Sequence, residues 1–295
     1  SAEVPLPNGN AIATDPKLME SLIDYSDLSV SVLREIVGGN SLDAQYNGNL
    51  KFFEEGFEQN IRLFTDSADA WLEDRLFVHD ELAAGKIAPA TAKIITSGDF
   101  SHVGHMGWSY GGATAATVCY QDDRCVASIN LDGSNYYLTP FNQEHPKPFM
   151  MMYADPERLA GDLGVSLNQT SVLFNDFSYE SHANAGQREN IYRLFIKGAT
   201  HRDMSDFRLI MNRPVRSLFR GSIDDGTMSN LLNDFVLGFF DRHLRHSTTD
   251  FPQAEFAKYQ TRATPHNVSN VSAWWQSKTP EERAQLAQRL DRLRQ

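Results

Sequence analysis

His105-Met106-Gly107-Trp108-Ser109-Tyr110-Gly111-Gly112-Ala113-Thr114 is the stretch on which the fold turns. A strand-like run with Val103, His105 and Met106 leads into it. Ala113-Thr114-Ala115-Ala116-Thr117-Val118 leads out of it as a helix of small residues. A serine between such elements sits on a sharp strand-to-helix turn with strained backbone angles. Glycines on either side let strand, turn and helix approach closely. Taken alone, a G-x-S-x-G arises by chance in a chain of this length on the order of one time in ten. The strand before and the helix after supply the context that the turn requires.

Working outward, the downstream chain alternates short apolar runs with helical ones. Val126–Leu131 reads as a buried strand closed by Asp132-Gly133, and Phe149–Tyr153 as another closed by Ala154-Asp155-Pro156, a turn sequence. Tyr192–Ile196 is a third, followed by Gly198 and His201. Ser229 then caps a helix carrying Leu232, Phe235, Val236, Phe239, Phe240 and Leu244. Strands alternating with helices imply a mostly parallel sheet with helices on both faces, the α/β class and, with the serine turn, the α/β-hydrolase fold.

Upstream the period is different. Residues 1–14 read as an irregular arm, Asp15-Pro16 to Val37 as a helix stopped by Gly38-Gly39, and residues 49–84 as helical, with Gly85 ending the run. No convincing run of early strands is found there, so the chain reads as the second half of the sheet plus a helical insertion. The expected organisation is a mainly helical region over 1–97, a catalytic core over 98–250, and a tail with a final helix over 251–295. That last helix starts with the capping box Thr279-Pro280-Glu281-Glu282 and has one apolar stripe, Leu286, Leu290 and Leu293, that packs on the body. The apolar residues of 204–228 read as core, with a lid or interfacial surface as the alternative.

Charge narrows the partners. The 295-residue chain has a formal net charge of -11 and a sequence pI near 5.3. That argues against nucleic acid and against polybasic attachment to anionic membranes. No run of about 18 apolar residues is present. The N-terminus has neither the basic flank nor the apolar run of a signal peptide, although the chain does not begin with Met. Two cysteines, Cys119 and Cys125, exclude a CxxC metal site and leave a disulfide and two buried thiols equally open.

A serine hydroxyl needs a neighbouring base, and the base needs an orienting carboxylate that lies between the two in chain order. His201, in a loop after a late strand, fits better than His145, His182, His243, His246 or His266. Asp132 and Asp155 each follow a strand, and order alone leaves both open as the acid. The amide of Tyr110, next after Ser109, is the expected oxyanion donor, and Trp108 is expected in the substrate pocket. A second donor usually comes from a loop after an early strand, often marked His-Gly, and residues 1–98 contain no such motif. No metal or organic cofactor is called for.

Four segments in order resemble the platelet-activating factor acetylhydrolases. These are His105–Thr114, then Asp123-Arg124 through Ile129-Asn130-Leu131-Asp132-Gly133, then Pro146-Lys147-Pro148-Phe149-Met150, and finally Ile196–His201 with Ser205-Asp206-Phe207. The resemblance implies a triad of Ser109, Asp132 and His201. It also implies a short-acyl, lipid-like or other small ester as substrate, and a secreted or periplasmic location. It departs at Trp108, where the family usually has histidine. Two other readings stand beside the esterase: an acyltransferase using the same triad, and a binding protein on a hydrolase scaffold. The absent early strands lead to one further expectation, a companion N-terminal chain from the same precursor that supplies those strands and the second oxyanion donor.

Overall fold

The structure, a computed structural model, describes residues 3–5, 11–13, 30–58, 62–86, 92–95, 97–135, 137–167, 173–210 and 220–294. Its centre is a five-stranded sheet in the order β3-β4-β5-β6-β7. The strands are β3 (Val103–Trp108), β4 (Cys125–Leu131), β5 (Phe149–Tyr153), β6 (Ile191–Ile196) and β7 (Ala263–Pro265). The pairs from β3 to β6 are parallel and β6–β7 is antiparallel. β1 (Glu3–Pro5) and β2 (Ala11–Ala13) form a separate antiparallel pair. The fold is α/β, as the alternation of elements implied.

β4 and β5 are buried almost end to end, as expected for parallel strands covered on both faces. One face carries the helix Asp225–His243, which buries Met228, Leu231, Phe235 and Phe239 against Ile129, Met150, Met152 and Leu194. The other face carries the helix Tyr110–Val118, whose alanines are fully buried. Small side chains are needed there because helix and strand nearly touch. A Cβ on Gly112 would lie 2.3 Å from Asn130 Oδ1.

Several expected boundaries move. The helix assigned to a Ser229 cap begins at Asp225, because the Asp224 side chain accepts from Thr227 N at 2.8 Å and caps it one turn earlier. Residues 49–84 resolve into two helices, Leu42–Glu58 and Arg62–Ala83. Of the helix expected over 15–37, residues 30–37 are helical and the remainder lies outside the described residues. Asp155-Pro156 is a helix start rather than a simple turn: Asp155 caps Pro156–Leu163 with proline in the first turn.

The segment beyond residue 250 is part of the body. β7 completes the sheet edge, and the helices Ser269–Ser277 and Pro280–Arg294 pack Val271, Trp274 and Leu290 against Tyr46, Leu50 and Phe53. The Thr279 capping box forms as expected, with Glu282 N donating to Thr279 Oγ1 at 3.2 Å and Thr279 N to Glu282 Oε2 at 2.7 Å. Within 204–228 the expectation of core holds at Met204, Ile223 and Met228, which are buried, and fails at Phe207, Leu209 and Ile210, which are 43%, 54% and 74% exposed. Met211, Val215, Leu218 and Phe219 lie outside the described residues. Cys119 and Cys125 are joined by a disulfide that ties the end of Tyr110–Val118 to the start of β4.

Candidate active site

Ser109 stands between β3 and the helix Tyr110–Val118 with φ 56° and ψ -127°. A left-handed φ on a residue with a side chain is costly and persists only where the surroundings enforce it. Here Ser109 N donates to Leu131 O at 2.9 Å, and Ser109 O accepts from Gly112 N and Ala113 N at 2.9 and 3.2 Å. The glycines that permit the turn are not quite the pair in the motif. A Cβ on Gly107 would meet Gly111 O at 2.2 Å, and one on Gly133 would meet Ser109 O at 1.9 Å. A Cβ on Gly111 would have only Trp71, at 3.7 Å. Close approach is therefore required at Gly107, Gly112 and Gly133.

Three side chains converge at the carboxyl ends of the strands, where sites in such sheets collect. Ser109 Oγ lies 2.9 Å from His201 Nε2, and His201 Nδ1 lies 2.8 Å from Asp132 Oδ2. The other Asp132 oxygen accepts from Ala154 N at 2.8 Å, which fixes the carboxylate plane. Asp132 itself has φ 55°. Its turn is locked by Asn130, whose Oδ1 accepts from Gly133 N at 2.7 Å and whose Nδ2 donates to Gly133 O at 2.9 Å. Asn175 Nδ2 also donates to Gly133 O, at 2.7 Å.

The loop bearing His201 is held from three sides. Asp203 Oδ2 accepts from Thr200 N and Gly221 N, each at 2.8 Å, and from Thr200 Oγ1 at 2.9 Å. Asp155 Oδ2 accepts from Gly198 N at 2.7 Å, while Asp155 Oδ1 accepts from Glu157 N at 3.0 Å. The second sequence candidate for the acid is thus bonded to the loop backbone and its own helix, not to the His201 ring. Trp108 closes the third side: Nε1–H donates to His201 O at 2.8 Å, with the two rings 4.9 Å apart and inclined by 33°.

Beside the triad-like cluster is a cavity of about 440 Å3, lined in part by Ser109, Asp132 and His201. Leu33, Val37, Met151, Leu159, Leu173 and Phe174 supply its apolar lining. Leu33 and Val37 bring the helix at residues 30–37 to this cavity. Trp108, expected in this pocket, is not among the residues lining it; its ring lies against His201 and Phe207 instead. Tyr110 is the first residue of its helix, which places its amide at the positive end of the helix dipole. Its ring packs edge-on against Trp71 at 5.0 Å.

The remaining histidines do other work. His145 is fully buried between Ala116 O and Lys147 O, at 3.0 and 2.8 Å, and burial lowers its pKa to about 4. His182 is buried among Tyr46, Phe141, Phe177 and Trp274, and burial lowers its pKa to about 3. His266 bonds Asp176 at 2.9 Å, and His243 lies 3.2 Å from the Tyr192 hydroxyl. The sequence reading missed Asn130 and Asp203. For Asp203 a signal existed, since Thr200-x-x-Asp203 has capping-box spacing. The described residues contain no group of three or more His, Cys, Asp or Glu side chains that could hold a metal ion. They also contain no helix long and apolar enough to cross a membrane.

A parallel sheet with a strained serine between strand and helix, facing histidine and aspartate from later strand ends, defines an α/β-hydrolase. The family model for platelet-activating factor acetylhydrolase, isoform II, matches residues 91–261, more than half of the chain. The chain belongs to that family. A ferulic acid esterase from Streptomyces cinnamoneus is similar over 90% of this chain, at 19% identity and a TM-score of 0.48. The chain spans 62% of the length of that structure. No curated protein matches.

Proposed function

We propose that the protein hydrolyses carboxylic esters through an acyl-enzyme, with Ser109, His201 and Asp132 as a triad. The observation that carries this is the unbroken relay from Ser109 Oγ to His201 Nε2 at 2.9 Å and from His201 Nδ1 to Asp132 Oδ2 at 2.8 Å. Ser109 Oγ attacks the ester carbonyl as its proton passes to His201 Nε2. Asp132 accepts the hydrogen bond from Nδ1–H and stabilises the imidazolium. The tetrahedral oxyanion receives the Tyr110 amide. Collapse expels the alcohol, which takes the proton from His201. A water, deprotonated by the same imidazole, then releases the acid and restores Ser109. The cavity's apolar lining favours an ester with an apolar portion, consistent with a lipid-like or other small ester. The disulfide favours a secreted or periplasmic protein.

The second oxyanion donor belongs, in this reading, to a companion polypeptide from the same precursor that pairs with β3. Among the described residues β3 is the terminal strand of the sheet. Its odd residues turn their backbone groups toward β4, as Val103 N does to Arg124 O. On its other side no strand pairs with β3 among the described residues. Val103–Trp108 carries none of the lysine or proline that commonly protects an open edge.

The test is reaction with a fluorophosphonate probe, followed by peptide mapping and hydrolysis of a p-nitrophenyl acyl series. Labelling confined to Ser109, lost in Ser109→Ala, with ester turnover, is the expected result. A folded native sample that neither labels nor hydrolyses any ester overturns the reading. Intact mass of every chain in that sample tests the companion strand, since full activity from a single chain of 33.2 kDa would exclude it.

A further inference from the structure

We infer that Trp108 is a positioning residue for His201, holding its backbone carbonyl and its ring face while Asp132 holds the ring nitrogen Nδ1. The inference rests on the triad reading above. Two contacts carry it. The indole N–H donates to the His201 carbonyl at 2.8 Å, so the backbone of the histidine is pinned to the strand that ends in the nucleophile. The indole face also lies on the imidazole, with centroids 4.9 Å apart at 33°. Backbone and ring of one residue are thus set by a single side chain that immediately precedes Ser109.

The grip has an outer member. Phe207 packs edge-on against Trp108 at 5.6 Å and 73°, and itself stands 43% exposed. Phe207, Trp108 and His201 form a row of ring contacts, edge-on at Phe207 and tilted face at His201, running from an exposed side chain to the catalytic cluster. The need for such a grip follows from the loop. His201 begins a short 3-10 turn, Gly198 just before it has φ 81°, and the His201 side chain is 44% exposed. Asp132 fixes one ring nitrogen but leaves rotation and tilt about that bond open. A planar aromatic face removes that freedom at little entropic cost, because the tryptophan is already anchored in β3. The chemistry requires the Ser109–His201 distance to be held within a fraction of an ångström.

Trp108→Phe keeps a ring but deletes the donor, and Phe207→Ala removes the outer member at an exposed position. Steady-state kinetics, fluorophosphonate labelling rate and the low-field proton resonance of His201 Nδ1–H are measured on both and on the unaltered protein. We expect kcat to fall about tenfold in Trp108→Phe and about threefold in Phe207→Ala, with KM changed less than about twofold. The labelling rate should fall in parallel, and the low-field resonance should shift or broaden. Trp108→His, which restores a donor, should recover part of the loss. Unchanged kcat and resonance in folded Trp108→Phe and Phe207→Ala, whatever their thermal stability, overturn the inference. Failure of the unaltered protein to label would instead overturn the triad reading, so the two failures are distinguishable.

Discussion

Two aspartates end two neighbouring parallel strands, and they do different things. Asp132, after β4, has φ 55° and points its carboxylate at His201 and Ala154 N. Asp155, after β5, has φ -66° and turns its carboxylate to Glu157 N and Gly198 N. The residues that follow decide the difference. Gly133 lets the chain pass so close to Ser109 O that a Cβ would lie 1.9 Å away, which holds the β4 turn against Ser109. Pro156 starts a helix, which claims the preceding aspartate as its cap. A carboxylate at a strand end is available to the site only when no helix start needs it. Asp155 still serves the site at one remove, because the loop it holds carries His201.

The largest effect that would break this comparison is on catalysis. Asp132→Asn should lower kcat by roughly a thousandfold or more with KM little changed, because the amide favours the wrong histidine tautomer. Equal loss in Asp155→Asn would erase the distinction. Next in size is Gly133→Ala, where the new methyl group has no room and Asn130 Oδ1 is 2.7 Å from it as well. We expect a loss of about 2–3 kcal/mol in urea unfolding together with a severe loss of activity. Asp155→Asn should cost about 1 kcal/mol, the ordinary size of a weakened cap, and reduce kcat less than about tenfold. An unaltered unfolding midpoint in that variant would remove the cap from the account.

A separate effect, on stability alone, sets the pH window for these comparisons. Burial lowers the pKa of His105 and His145 to about 4, and that of His182 to about 3, from 6.5. The unfolded chain therefore binds more protons than the fold as pH drops below 6.5. Stability should fall from about pH 6.5 toward 4 and stay flat with respect to these groups above it, by the order of 1–2 kcal/mol for each histidine at pH 5. Urea midpoints at pH 7.5 and 5 check this. A midpoint unchanged or higher at pH 5 would contradict it.

Much of the site could be read from the chain because its elements are local. Gly107-x-Ser109 with a strand before and small residues after fixes a strand-to-helix turn, and Phe149–Tyr153 gives β5 to the residue. What could not be read is what depends on distant partners. Asp132 and Asp155 each follow a strand, and the partners that show their different roles lie 69 and 43 residues away. Trp108 sits in the motif, yet its hydrogen-bond partner His201 is 93 residues away, which no local pattern reveals. β7 was missed because three residues, Ala263-Thr264-Pro265, carry no period of their own and owe their strand to pairing with β6.

The most direct test of the central claim measures fluorophosphonate labelling of Ser109 side by side in the native protein, Asp132→Asn and Asp155→Asn, at pH 7.5. The account predicts fast labelling in the native protein, nearly as fast in Asp155→Asn, and slower by roughly a thousandfold in Asp132→Asn. Equal labelling of native protein and Asp132→Asn, or loss confined to Asp155→Asn, would contradict it.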